Sequence, residues 1–282
     1  MGSSYLTAAA WTRAESQLSE RDLAVLRYVS DLRFVTGSQL ARLCFADPGD
    51  TRAAARAARY ALLRLTRLWA LDRLPRTIGG VRAGSAGYVY RLGIGGQRLA
   101  VNRGWQPERR ARRARAPGML FVRHTLAIAE MHTRLVEGDR SGRFELLELR
   151  GEPSCWRVYD GLAAQAIVLK PDTYLRLGIG GFEDSYFIEV DRGTEGSRAI
   201  LGQLERYLAY HLTGTEQTER GVFPRVLWLA SDQRRVEAIA GCVAALPEAE
   251  QTLFQAAPFE QAIEAIGGQQ PTPTTPNPLV YV

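Results

Sequence analysis

From Met119 onward the chain alternates long amphipathic stretches with short apolar runs, in an order that few folds accommodate. Periodicity predicts a helix over 119–137, a strand over 144–149, a strand over 166–169 that runs into Pro171-Asp172, and a strand over 186–188 that runs into Glu189. A helix over 194–212, a strand over 226–229 and a last helix over 233–245 complete the series. Each carboxylate therefore falls where an apolar β run turns polar. Side chains two apart on a strand share a face, so Lys170 pairs with Asp172 and Glu189 with Asp191. Three acidic side chains at two strand ends, with Gln203 and Tyr207 one turn apart on the helix behind, can converge on one divalent cation.

The 282 residues leave room for two modest domains, and a hydrophobic content of 46% is ordinary for a folded chain. No apolar run reaches the roughly 18 residues that span a bilayer, and the basic-then-apolar pattern of a signal peptide is missing. The expectation is a cytoplasmic protein without membrane contact. Cys44, Cys155 and Cys242 are isolated and expected as small core residues, since no C-x-x-C spacing supports a zinc knuckle. Charge is uneven. Residues 1–118 hold 21 arginines against eight acidic residues, whereas the remainder holds 15 basic against 22 acidic. A basic front half joined to an acidic back half fits a nucleic-acid-binding module tethered to a second domain. Lys170 is the only lysine in the chain.

The front half reads as a winged helix. Ser19 caps a helix over 20–31, the stretch 34–43 supplies a turn, a cap and a short second helix, and Asp47-Pro48-Gly49-Asp50 breaks it. A third helix over 51–69 gathers Ala58, Ala61, Leu62, Leu65, Leu68 and Trp69 on one face and Arg52, Arg56, Arg59 and Arg67 nearly opposite. That is the stripe a recognition helix presents to phosphates and base edges, although any amphipathic helix also turns its charges to water. Two strands over 71–78 and 87–92 would form the wing, with Arg76 and Arg82 placed to reach a groove or backbone. Residues 101–118, rich in arginine, read as a basic linker. The expected organisation is an extended or disordered segment over 1–18, a winged helix over 19–100, the linker, an α/β domain over 119–266 and a disordered tail over 267–282.

Pro171-Asp172 with Glu189-x-Asp191 resembles the PD-(D/E)xK nuclease pattern, and Gln203-x-x-x-Tyr207 resembles the helix motif of its RecB-like exonuclease branch. With the winged helix and the string Glu189-Val190-Asp191-Arg192-Gly193-Thr194, residues 19–231 resemble the replication-relaxation family of bacterial plasmids and integrative elements. The resemblance implies an α+β chain, a winged helix-turn-helix followed by a restriction-endonuclease-like αβββαβ domain. It also implies a DNA-associated role in replication or mobilisation, with DNA and replication or transfer proteins as partners; a second copy of the chain is a further expected partner, because winged helices often bind paired half-sites. In the active form of this reading, Asp172, Glu189 and Asp191 hold Mg²⁺ or Mn²⁺, Lys170 steadies the phosphate, and Gln203 and Tyr207 position substrate. Asp191 stands where the motif has lysine, so Lys170 is the substitute. The alternative is a non-catalytic DNA-binding replication or transcription regulator on a degenerate nuclease fold. A covalent role for Tyr207 is disfavoured, because no histidine cluster lies near it.

On the helix over 119–137, the wheel turns Glu130 to water and makes His132 a core histidine, and it leaves His124 undecided at the edge of the buried face. The hexapeptide Arg91-Leu92-Gly93-Ile94-Gly95-Gly96 recurs as Arg176-Leu177-Gly178-Ile179-Gly180-Gly181. Both copies follow strands and are expected as turns rather than phosphate cradles.

Overall fold

The computed structural model describes residues 6–46, 51–74, 87–107, 117–161 and 165–267. In the front half, helices α1 (Ala8–Glu15), α2 (Glu20–Leu32), α3 (Gly37–Cys44), α4 (Thr51–Arg67) and α5 (Ile94–Asn102) surround a small sheet. Its strands β1 (Val35–Thr36), β2 (Leu71–Arg73) and β3 (Val89–Leu92) are antiparallel in the order β1-β3-β2. The two short helix starts are set locally. Ser19 and Asp22 form a capping box on α2, and Thr36 and Gln39 form another on α3, so the exposed N–H groups of each first turn are satisfied by side chains. Asp22 is buried and also takes Arg64 of α4 at 2.5 Å, which ties α2 to α4.

Ala58, Leu62 and Leu65 bury against Leu26, Val29, Leu40 and Leu43, as the wheel predicts. Trp69 does not belong to that stripe, because α4 ends at Arg67 and the chain turns at Trp69 with φ of 61°. The stretch expected as an extension contains α1, whose Trp11 is buried in the same core against Gly95. The first hexapeptide corrects the expected turn. Gly93 caps α5, and a Cβ on Gly93 or Gly96 would lie 2.3 or 2.2 Å from the carbonyl oxygens of Trp69 and Ala70. Arg76, Arg82 and the linker arginines 109, 110, 112, 113 and 115 lie outside the described residues.

The back half is a five-stranded sheet between helices. Its elements are α6 (Met119–Arg140), β4 (Glu145–Gly151), β5 (Arg157–Asp160), β6 (Ala166–Leu169), β7 (Thr173–Ile179), β8 (Phe182–Val190), α7 (Ser197–Leu212), α8 (Thr215–Arg220), β9 (Arg225–Ala230), α9 (Gln233–Val243), α10 (Glu248–Gln251), β10 (Phe254–Pro258) and α11 (Ala262–Gly267). Strand order is β10-β9-β8-β7-β4, antiparallel from β4 through β7 to β8 and parallel from β8 through β9 to β10. Among the described residues β5 and β6 pair only with each other, as an inserted hairpin. The strand over 166–169 is therefore not the one that carries Asp172, which stands just ahead of the interior strand β7. The second hexapeptide makes the β7–β8 turn, where Gly180 and Gly181 have φ of 56° and 88°.

Alternation sorts the sheet. Leu175, Leu177, Tyr186, Ile188, Val190, Leu227 and Leu229 pack under α6 and α11, and Tyr174, Phe187, Val226 and Trp228 pack under α7 and α9. α6 serves both halves, since Ile128, Met131 and Leu135 face the sheet while Ala129 and Val122 join apolar clusters of the front half. Its remaining side carries Glu130 and Glu137, which bind Arg42 of α3 at 2.7 and 2.5 Å, and Glu130 also accepts from Gln39 at 3.1 Å. Glu130 thus faces the front half rather than water. The wheel locates the side away from its own sheet but carries no sign that a second unit docks there.

Candidate active site

Register brings two of the expected carboxylates together. Thr173 pairs with Ile188, so Asp172, one residue earlier, lies beside Glu189, and its Oδ2 accepts the Val190 N–H at 2.7 Å. The loop before it is anchored by the Cys155 thiol, which donates to the Pro171 carbonyl at 2.9 Å. Glu189 shares the face of Phe187, so its carboxylate enters the layer under α7. There Tyr207 donates to Oε1 at 2.5 Å, and Gln203, one turn earlier, also hydrogen-bonds to Glu189. Asp172 and Glu189 are 6% and 7% exposed. Burial, and then the negative charge of Asp172, push the Glu189 carboxyl well above the usual carboxylate range. Burial and the Glu189 charge push the Tyr207 hydroxyl up in turn.

His124, from the first turns of α6, meets Asp172 Oδ1 at 3.0 Å. The hydrogen bond to Asp172 holds the imidazole above its ordinary pKa. His132 is the core histidine expected: it bonds Thr173 Oγ1 at 3.1 Å, and burial lowers its pKa to about 4.

Asp191 lines the same cavity but has other partners. Its Oδ1 accepts from Arg235 Nε at 2.8 Å and from the Gly193 N–H at 2.6 Å, and its Oδ2 accepts from Arg235 Nη2 at 2.7 Å. Arg235 comes from the first turn of α9, whose start is capped by Asp232, so the parallel crossover from β9 to β10 delivers a guanidinium to the end of β8. Lys170 also lines the cavity, with its Nζ 4.7 Å from the Trp156 ring centroid. The cavity holds about 570 Å³, with Asp172, Glu189 and Trp228 inside and Phe121, Arg123 and Arg192 among its other walls.

Two carboxylates, not three, are thus left to face an ion. Among the described residues no group of three or more His, Cys, Asp or Glu side chains is arranged to hold a metal. A pair of buried carboxylates beside open volume still fits Mg²⁺ or Mn²⁺, which keeps waters and binds through one or two carboxylates plus substrate phosphate oxygens. Burial and the adjacent Asp172 charge, which together raise the Glu189 pKa, are both costs that a cation would offset.

The second expected site is α4. Arg52, Arg56, Arg59 and Arg67 are all exposed along it.

With the sheet, the carboxylate pair and the arginine helix in place, comparison with protein families decides the relationship: the replication-relaxation profile matches residues 26–226, more than half of the chain. The chain belongs to the replication-relaxation family. No curated protein and no solved structure matches it. The replication-relaxation match runs from within α2 into β9 and so includes both candidate sites. Membership suggests a role in plasmid or mobile-element replication.

Sequence reasoning left out two groups that matter in this replication-relaxation chain. His124 had a legible signal, a polar residue at the edge of an apolar stripe, but no indication of its partner. Arg235 had none, because its pairing with Asp191 spans 44 residues and depends on where α9 begins.

Proposed function

We propose that the chain is a DNA-binding replication protein of a plasmid or integrative element that hydrolyses or nicks phosphodiester bonds at Asp172 and Glu189. The front half supports a winged-helix reading: α2, α3 and α4 with a three-stranded antiparallel sheet in the order β1-β3-β2, and α4 as the last helix of that trio. The back half supports a restriction-endonuclease-like reading. α6, then β4, β7 and β8 as an antiparallel meander, then α7 and the parallel strand β9 follow the αβββαβ order, with the β5–β6 hairpin and β10 as additions.

The observation that carries the catalytic part is the adjacency of Asp172 and Glu189 inside an open cavity. Mg²⁺ or Mn²⁺ bound there would supply charge neutralisation at the phosphate and a more acidic water. Glu189 is oriented by Tyr207 and Gln203, and Asp172 by the Val190 N–H and His124. Lys170, on the cavity wall, has the reach and charge to attract a phosphate after leaving Trp156. Asp191 acts through structure, by holding α9 to the end of β8.

A second reading rests on that same Asp191. Where the nuclease pattern has lysine, this chain has a carboxylate locked to Arg235, which favours a DNA-binding regulator with a degenerate site.

Incubating the full chain with supercoiled plasmid in Mg²⁺ or Mn²⁺ separates the two. The nuclease reading expects nicked or relaxed DNA and its loss in Asp172→Ala and Glu189→Ala. Intact plasmid and intact single strands with both ions, together with normal element replication by Asp172→Ala, would establish the regulator.

A further inference from the structure

The outward face of α4 is not uniformly cationic. At 100° per residue, Arg52, Arg56, Arg59 and Arg67 span an arc that also contains Leu63, near its centre, and Tyr60, at one edge, the six together covering about 100°. Leu63 is 41% exposed and Tyr60 69% exposed. A single exposed leucine is ordinary on a protein surface, but one in the middle of an arginine stripe stands where a polyanion would be met. Arginines can answer phosphates or guanine edges. A leucine neither donates nor accepts a hydrogen bond, so the one base feature it can recognise in a major groove is the 5-methyl group of thymine. Tyr60 presents an apolar ring edge one turn away. The rise between them, about 4.5 Å, is close to the roughly 3.4 Å step between bases along one strand.

We propose that Leu63 and Tyr60 are specificity-determining residues that read thymine methyl groups in duplex DNA, while the arginines around them supply sequence-independent affinity. This deepens the DNA-binding reading of α4 and rests on it.

The test begins with a pool of duplexes carrying a central randomised block, from which the full-length protein enriches a site. That site is resynthesised with deoxyuridine in place of single thymidines, which removes only the methyl group. The expected site contains T steps, and one dT-to-dU exchange weakens the wild type roughly fourfold, the worth of one buried methyl-sized group. Leu63→Ala should bind the dT and dU duplexes equally and keep the wild-type salt slope. Because Leu63 and Tyr60 are exposed, thermal melting of Leu63→Ala and Tyr60→Ala should match the wild type. The proposal is overturned if dU exchange leaves wild-type affinity unchanged, if Leu63→Ala loses affinity equally for random duplex, or if its main effect is to break up a dimer that exists without DNA. Arg52→Ala, Arg56→Ala and Arg59→Ala keep the two levels distinguishable. A salt slope that is unchanged in the triple variant means that α4 does not bind DNA, whereas a reduced slope without a methyl effect removes only this inference.

Discussion

Glu189 and Asp191 sit two residues apart at one strand end, both buried, both carboxylates, and they have opposite electrostatic surroundings. Glu189 is buried facing Asp172, so its charge is opposed and its pKa rises, a rise that the Tyr207 and Gln203 hydrogen bonds only partly offset. Asp191 faces a guanidinium and a backbone N–H, so its charge is matched. A cavity with one frustrated carboxylate pair and one satisfied ion pair separates the part that can do chemistry from the part that holds it in shape. Proximity in sequence and identity of charge do not distinguish the two. Only the neighbour does, Asp172 ahead of β7 for one and Arg235 of α9 for the other.

Breaking the satisfied side has the largest expected effect. Asp191→Ala leaves the half-buried Arg235 without its partner and should cost about 3 kcal/mol in urea unfolding, whereas Asp191→Leu combined with Arg235→Met should recover much of that loss. An Asp191→Ala protein as stable as the wild type would show that the pair is ornamental.

Relieving the frustrated side should act in the other direction. Glu189→Gln keeps an acceptor for Tyr207 but removes the charge, and should gain about 1–3 kcal/mol at pH 8 in the absence of divalent ions. The sign follows from the raised pKa. Glu189 favours the folded state below its unfolded value near 4.5, and that contribution is lost as pH rises through the folded pKa. Urea melts from pH 4.5 upward should therefore show a falling component in the wild type that is missing in Glu189→Gln. Mg²⁺ should raise the wild-type melting temperature and leave Glu189→Gln unmoved.

The smallest effect belongs to His124, which belongs to the frustrated side but carries the opposite charge. Its pKa is raised by Asp172, so its contribution is present below its unfolded value near 6.5 and is lost as pH rises through the folded pKa. His124→Ala should cost under about 1 kcal/mol at pH 5.5, since the ring is partly open to water, and nothing at pH 9. Equal destabilisation at both pH values would make His124 a packing residue only.

Local signals were legible where the physics is local. Ser19 and Thr36 are followed three residues later by Asp22 and Gln39, and both helices begin where those caps predict. The apolar stripe of α4, the run from Tyr186 to Glu189, and the pairing of Gln203 with Tyr207 on one helix face also follow from period alone. Asp172 was assigned to the end of the wrong strand, because an apolar run such as 166–169 looks the same whether it enters a central sheet or an excursion hairpin. Glu130 was turned to water because a wheel knows one neighbour at a time.

The repeated hexapeptide draws that boundary inside six residues. By itself the sequence determined that both copies follow a β-strand and carry glycines where a side chain would be costly. Tertiary structure alone decided what those glycines do. Beside Trp69 and Ala70, Gly93 and Gly96 let a helix start against a neighbouring backbone, where a Cβ would collide with carbonyl oxygens. Between β7 and β8, Gly180 and Gly181 take positive φ to reverse the chain in open solvent. The same division separates Glu189 from Asp191: residue type and spacing put two carboxylates at one strand end, and the long-range arrival of Asp172 and Arg235 determined which is frustrated and which is paired.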